Sequence, residues 1–286
     1  MIPGPFEYYS PRSLNEAVNL LTTHKDDVKI LSGGQSLLPL MKMRLAKPGY
    51  IVDIGRIAGL DTIMEDREYL IIGALTTHAQ IEASDLLRKR CPLLSQTATT
   101  IADVQVRNRG TIGGSLAHAD PAGDMAPAIL ALEAEIKVVG PNGERWIRAE
   151  DFFLGLMMSA LEPDEILTAI KVPATDAEKT TYLKAAPRAS GFAVVGVAVR
   201  LALNPDGTCS RIAVAITGVT DKAYRAERSE KMLLGKKLDD KLIEAAADET
   251  TRNVDVIEDI NGSQEYRTHL THVYAARAIQ AAIAGR

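Results

Sequence analysis

The sequence predicts an α+β protein: two small α/β units, then a three-stranded antiparallel sheet carrying helices on one face. Three observations predict it. Short helical and strand-like periodicities are mixed over the first 175 residues, with no internal repeat. After Pro173 the order changes to three strand-like runs followed by three helical ones. The length of 286 residues corresponds to about two domains at ~150 residues each, enough to bury a core without a disulfide or metal. The expected units are 1–57 and 58–175, followed by 176–286.

The first unit opens with a capping box, Ser13-Leu14-Asn15-Glu16, and Leu14, Ala17, Val18 and Leu21 then share a helical face. Val28 to Leu31 reads as a short buried strand, broken by Ser32-Gly33-Gly34-Gln35-Ser36. Leu37 to Leu45 reads as a helix, Pro39 being tolerated in a first turn, and Tyr50 to Ile54 as the next strand. In the second unit Tyr69 to Ala74 is a strand, Thr77 caps a helix to Ala83, and Pro92 to Ile101 is helical. Ala102 to Gly123 lacks periodicity and reads as a long ordered loop. Asp124 to Leu132 is a helix. Glu135 to Val139 and Arg145 to Arg148 form a hairpin across Gly140-Pro141-Asn142-Gly143, and Glu165 to Val172 is a strand. A polar linker is expected at Ala174 to Lys179. The last part places strands at Thr180 to Ala185, Phe192 to Leu203 and Arg211 to Val219, and helices at Ala223 to Leu234, Leu238 to Thr250 and Glu265 to Ala284.

Composition narrows the function. Hydrophobic residues are 46% and charged residues 24%, ordinary for a globular protein, and the net charge of −4 disfavours nucleic acid as a partner. Cys91 and Cys209 are far apart, too few for a thiolate-held iron–sulfur cluster or zinc, and are expected to be reduced and buried. No secretory signal or membrane span is visible, which gives a cytoplasmic expectation.

Two double-glycine turns carry the functional signal, Ser32-Gly33-Gly34-Gln35-Ser36 and Thr111-Ile112-Gly113-Gly114-Ser115. Consecutive glycines can take φ > 0 and point their N–H groups into one anion-binding concavity. Adjacent hydroxyls and a helix start add donors, so two such turns together suit a diphosphate. Each turn is equally readable as a tight connection. Neither is a Gly-x-Gly-x-x-Gly or a P-loop motif. Asp124 could accept from a ribose hydroxyl or cap the helix that follows. His118 and Asp120 admit a general-base or metal reading against a structural one, and His269 and His272 a ligand pair against surface positions.

The segments SGGQSLLPLMKMR and VRNRGTIGGSLAHADPAGD together resemble the signature of the flavin-binding medium subunit of molybdenum hydroxylases, the carbon monoxide dehydrogenase and xanthine dehydrogenase family. The resemblance runs from Phe6-Glu7-Tyr8 to Glu265-Tyr266-Arg267. It implies a two-subdomain FAD-binding domain of the vanillyl-alcohol-oxidase (PCMH) type, followed by a C-terminal domain of a three-stranded sheet plus helices. It implies that Leu31, Ser32, Gly33, Gly34, Gln35, Ser36, Leu37 and Leu38 form one FAD loop and Thr111, Ile112, Gly113, Gly114 and Ser115 the other. Asp124 matches a further cofactor position, Ile101 a position beside the isoalloxazine, and Leu167 and Lys184 two more flavin contacts. Xanthine dehydrogenases carry an aromatic residue where Ile101 stands, so ring packing is expected to follow the bacterial three-subunit enzymes. Nothing marks a covalent tether, so FAD is expected to be dissociable. The cysteines needed for the 4Fe–4S loop of some relatives are absent.

The resemblance further implies an electron-transfer subunit of an oxidoreductase. Its partners would be a molybdenum-cofactor large subunit and a 2Fe–2S small subunit, in a dimer of heterotrimers (a heterohexamer). No catalytic side chain and no metal site of its own are then expected. The alternatives are a stand-alone FAD reductase or oxidase, for which His118 is the candidate acid or base, and a flavin-free scaffold.

Overall fold

The computed structural model describes residues 2–188 and 191–285. The chain opens with β1 (Glu7–Tyr9), α1 (Leu14–His24), β2 (Val28–Leu31), α2 (Leu37–Lys42) and β3 (Tyr50–Asp53). Their strands form a parallel sheet in the order β1-β3-β2. Ser13 Oγ caps α1 by accepting from the Glu16 N–H at 3.2 Å. The Glu16 carboxylate reaches back one residue further than a capping box requires, to the Arg12 N–H at 3.0 Å. Ala17, Val18 and Leu21 pack with Val28, Val52 and Ile54 in a first small core. α2 stops three residues before the expected Leu45. Arg44 adopts a φ of 60°, and the turn it makes lets the Leu45 N–H donate to the Leu40 carbonyl at 2.9 Å.

A five-stranded antiparallel sheet follows, opened by β4 (Ile63–Asp66) and β5 (Tyr69–Gly73) and completed by three strands that come after six helices. The helices are α3 (His78–Ala83), α4 (Asp85–Arg90), α5 (Pro92–Thr99), α6 (Val104–Arg107), α7 (Ile112–His118) and α8 (Met125–Ala131). The hairpin β6 (Glu135–Gly140) and β7 (Gly143–Arg148) turns over Pro141-Asn142 as expected. Then come one turn of α9 (Ala149–Phe152), the small hairpin β8 (Phe153–Gly155) and β9 (Met158–Ser159), and β10 (Ile166–Pro173). The sheet order is β4-β5-β10-β6-β7. Leu70, Ile72, Ile136, Val138, Ile170 and Val172 turn one face of it toward Leu93, Leu94, Ile112, Leu116 and Ile129 of the helices.

The expected loop from Ala102 to Gly123 is instead two short capped helices. Asp103 Oδ1 accepts from the Val106 N–H at 2.9 Å to start α6, and Thr111 Oγ1 accepts from the Gly114 N–H at 3.1 Å to start α7. Helices of one or two turns are too short to display a 3.6-residue period, which is why only their caps are legible.

The C-terminal part has β11 (Lys179–Ala185), β12 (Val195–Leu203), β13 (Cys209–Thr217), β14 (Tyr224–Arg225), α10 (Glu227–Leu233), α11 (Asp240–Asp248) and α12 (Gln264–Ala284). The three expected strands gain a two-residue fourth, carved from the start of the expected Ala223 to Leu234 helix. The sheet is covered on both faces, not one. Val195, Val197, Val199 and Leu201 point to Ala275 and Ile279 of α12. The alternate residues Ala198, Ala213 and Ala215 join the core formed by α5 and α8. The expected linker is also tied down: the Thr175 N–H donates to the Arg90 carbonyl at 2.6 Å, and Glu178 accepts from Arg200. Cys91 and Cys209 are both free and buried, and burial pushes the Cys91 thiol up to about 12. Among the described residues no helix is long and apolar enough to cross a membrane.

Arg200 stands where this sheet meets the rest. Its side chain is 4% exposed and donates to Glu178, to Glu133 at 3.3 Å and to the Leu132 carbonyl at 3.3 Å. Removing one member of a buried ion pair leaves the other uncompensated. Glu133 is half exposed and keeps Arg211 and Arg225 as partners, so the loss falls mainly on Glu178, and Arg200→Ala should lower the urea-unfolding free energy by about 1.5–3 kcal/mol, the range for hydrogen bonds to charged groups. A loss no larger than that of an exposed arginine such as Arg228 would remove this anchor from the account.

Candidate functional site

The first glycine turn leaves the carboxyl end of β2, an edge of the parallel sheet where open α/β folds gather ligand loops. Gly34 has a φ of +73°, and a Cβ there would press on Leu38 and Leu31, so a larger residue would be strained. Among the described residues, the N–H groups of Gly34, Gln35 and Ser36 meet no acceptor. The Leu38 N–H closes the turn onto the Gly34 carbonyl at 3.2 Å and starts α2. Leu31 and Leu37 are half-buried here, and Leu38 is exposed.

The second turn works differently from the nest expected of it. Gly113 and Gly114 lie in the first turn of α7 with helical backbone. The four N–H groups from Ile112 to Ser115 are already engaged: Ile112 to the Thr76 carbonyl at 3.0 Å, Gly113 to the Ala74 carbonyl at 2.9 Å, Gly114 to Thr111 Oγ1 and Ser115 to the Thr111 carbonyl at 3.0 Å. These glycines serve close approach. A Cβ on Gly113 would meet Ala74 Cβ at 2.5 Å, and one on Gly114 would meet Thr111 Oγ1 at 2.8 Å.

The two turns, 79 residues apart, touch. Ser32 Oγ lies 2.7 Å from Thr111 Oγ1. A Cβ on Gly33 would collide with the Arg109 carbonyl and reach Gly110 Cα at 2.9 Å. Beneath Gly110 lies His78, whose ring carbon Cδ2 would be 3.1 Å from a Cβ at Gly110 and whose backbone N–H donates to the Gly110 carbonyl at 2.9 Å. Burial, together with the Arg107 charge, drives His78 down to about 4, so its ring is neutral at ordinary pH. Its Nδ1 is buried without a partner among the described residues.

A second cluster gathers Ile101, Asp124 and Lys184. Asp124 does not cap α8; its carboxylate turns away to the C-terminal sheet. Lys184 Nζ donates to Asp124 Oδ2 at 2.9 Å and to the Thr100 carbonyl at 3.1 Å, and the Tyr182 hydroxyl donates to Asp124 Oδ1 at 2.6 Å. The Lys184 and Asp124 side chains are 6% and 7% exposed. Burial raises the Asp124 pKa, against the lowering effects of Lys184 and the Tyr182 bond. Arg107 donates to the Ile101 carbonyl at 3.0 Å, so the backbone on both sides of Ile101 is held by a cation. Leu167 is buried in β10, which packs on α7. Sequence reasoning assigned no role to Tyr182, Arg107 or His78: Arg107 lies within the quoted VRNRG segment, but all three act by their position in the fold. His118 sits in the last turn of α7, at the far end from Thr111. His272 lies 2.9 Å from Glu244 and 2.7 Å from Asp248, tying α12 to α11.

The first turn therefore supplies open backbone donors, Ser32, Thr111 and Ser115 supply hydroxyls, and a buried ammonium stands beside an apolar side chain. That donor set fits a dinucleotide with a diphosphate and a flat redox ring.

Comparison with known proteins agrees. Residues 4–175 match the family model described as FAD binding domain in molybdopterin dehydrogenase, and residues 180–282 the CO dehydrogenase flavoprotein C-terminal domain. The chain is 40% identical over 283 residues to the carbon monoxide dehydrogenase medium chain of Hydrogenophaga pseudoflava, covering 99% of this chain and 98% of the relative. It is 37% identical over 280 residues to the glyceraldehyde dehydrogenase medium chain of Sulfolobus acidocaldarius, covering 98% and 99%. The structure superposes on that of carbon monoxide dehydrogenase from Hydrogenophaga pseudoflava lacking the Mo-pyranopterin moiety, with a TM-score of 0.97 and 42% identity over 100% of this chain and 99% of the other.

His78 gives a pH prediction. The folded protein protonates it near 4 and the unfolded chain near 6.5, so its contribution is intact above pH 6.5 and lost as pH falls toward 4. At ~1.4 kcal/mol per pKa unit this amounts to about 3 kcal/mol. Urea unfolding of His78→Gln should lose correspondingly less stability than the unaltered protein over that range; parallel losses would contradict the assignment.

Proposed function

The chain belongs to the FAD-binding medium subunits of the molybdenum hydroxylases, the carbon monoxide dehydrogenase family, and from that membership we propose that it is the electron-transfer flavoprotein of a three-subunit oxidoreductase. Electrons arrive from a 2Fe–2S small subunit, which receives them from a molybdenum-cofactor large subunit, and leave to an external acceptor. The assembly is a dimer of such heterotrimers in the cytoplasm. FAD accepts electrons singly and releases them in pairs, which is the chemistry this chain contributes to the complex. The single observation that carries the reading is the contact between the two glycine turns through Ser32 and Thr111.

This chain's residues then divide the work. Gly34, Gln35 and Ser36 offer backbone N–H groups to the diphosphate, with Ser32, Thr111 and Ser115 adding hydroxyls. Gly33, Gly113 and Gly114 keep the backbones close enough for this, and Leu31, Leu37, Leu38 and Ile112 wall the turns. Ile101 and Leu167 shield the ring from water, and Lys184, balanced by Asp124, sets the local charge. The cofactor is held without a covalent bond. We assign residues 1–175 to FAD binding and 176–286 to the C-terminal domain, a division supported by the family matches ending at 175 and resuming at 180. Relatives of nearly equal identity are named for carbon monoxide and for glyceraldehyde, which supports a reading in which another subunit selects the substrate.

The test is reconstitution. The apoprotein should bind FAD at one per chain, with quenching of flavin fluorescence, and Gly114→Val should abolish binding while far-ultraviolet circular dichroism stays unchanged. A valine there would enter the space beside Thr111 Oγ1 and Ser32 Oγ. Wild-type affinity in that variant would refute the loop assignment. His118→Ala should leave the rate of flavin reduction by the iron–sulfur partner within twofold; a large loss would favour a catalytic histidine.

A further inference from the structure

We propose that Tyr182 is a positioning residue of the flavin site: its hydroxyl, held against Asp124, keeps the Lys184 ammonium turned toward the ring beside Ile101. The inference rests on the FAD reading above and adds to it a residue of the C-terminal sheet that lies outside both glycine turns in the sequence.

The geometry is built for this contact. Tyr182 and Lys184 alternate on β11, and both side chains reach across to Asp124. The hydroxyl occupies a slot that exists only because β12 carries Gly196: a Cβ there would overlap the Tyr182 hydroxyl and approach Thr217 Cγ2 at 2.8 Å. Gly196 pairs with Lys184 on one side and Thr217 on the other, so the slot, the ammonium and the next strand are in register. The Thr217 hydroxyl in turn donates its one proton to the Pro121 carbonyl at 2.6 Å, with the Gly123 carbonyl also within reach at 3.2 Å, pinning the turn that delivers Asp124. Each Asp124 oxygen thus has its own donor, Tyr182 on Oδ1 and Lys184 on Oδ2.

The ammonium has three N–H groups. Among the described residues two have acceptors, Asp124 and the Thr100 carbonyl, which leaves one for a ligand. Without the Tyr182 hydroxyl, Oδ1 would be a buried acceptor with no donor, and the carboxylate would rotate to share Lys184 between both oxygens. Lys184 would follow it and loosen its hold on Thr100, the residue before Ile101. The carboxylate charge would also be less compensated, which disfavours added negative charge on a nearby flavin.

Three forms test the proposal: the unaltered chain, Tyr182→Phe, and Gly196→Ala, which keeps the phenol but pushes its hydroxyl out of the slot. The first readout needs no flavin. Acetylation of Lys184 in the apoprotein by a water-soluble active ester, followed by mass spectrometry, should be at least fivefold faster in both variants, with Lys179 labelling unchanged as a control on folding. The second readout, on the FAD-loaded chain, should show at least fivefold weaker FAD binding and a midpoint potential shifted to more negative values. Unchanged Lys184 labelling in Tyr182→Phe would overturn the proposal, as would an unchanged potential in a variant that binds FAD. Failure of the unaltered chain to bind FAD would instead refute the flavin reading, while the labelling result would still decide the role of Tyr182. Should Gly196→Ala fail to fold, Tyr182→Phe, which only deletes an oxygen, decides alone.

Discussion

The packing of one peptide backbone directly on another, Gly33 against Arg109–Gly110, is the constraint on which the site depends. Only with hydrogen as the side chain can the turn after β2 come this close to the segment before α7. That approach sets the Ser32 and Thr111 hydroxyls 2.7 Å apart and makes one surface from two sequence segments. The glycines that follow have separate duties. Gly34 supplies a left-handed turn that frees N–H groups, whereas Gly113 lets α7 lie close on Ala74 and Gly114 leaves room for the Thr111 cap hydroxyl. Two motifs that look alike in the sequence are thus different devices: one presents donors, the other presents a hydroxyl-bearing helix start.

The second organising feature is electrostatic. Lys184 and Asp124 are withdrawn from water together, a cost that is offset only when geometry and additional hydrogen bonds are good. Here the additional bonds come from Tyr182 and the Thr100 carbonyl, so the pair welds β11 to the end of α5. The same division of labour recurs away from the site, where Arg200 joins the C-terminal sheet to Glu133 and Glu178. The C-terminal sheet is therefore part of the cofactor-binding half in a physical sense, sharing its core through Ala198, Ala213 and Ala215.

Much of the fold was legible where the chain is periodic. The capped α1, the β6–β7 hairpin over Pro141-Asn142 and the long α12 lie within a few residues of their expected bounds. Elements that failed to show were short or edge-placed. β1 has three residues and gains its identity only by pairing with β3. β4 reads Ile-Met-Glu-Asp, an exposed edge with no buried face to impose alternation. α6 and α7 were hidden in a stretch whose only helical marks are the caps Asp103 and Thr111.

By itself, the sequence determined the class of protein, the two glycine turns and the family they belong to, because glycine and hydroxyl residues at set spacing leave a trace that needs no neighbours. Tertiary structure decided which of those groups are available. It engaged the N–H groups of Ile112, Gly113, Gly114 and Ser115 within the protein while leaving those of Gly34, Gln35 and Ser36 open. It took Asp124 from the helix start it precedes and gave it to Tyr182 and Lys184. The reason is physical: a hydrogen-bonding group buried on folding must find a partner, and the nearest one in space stands 58 or 60 residues away in the chain.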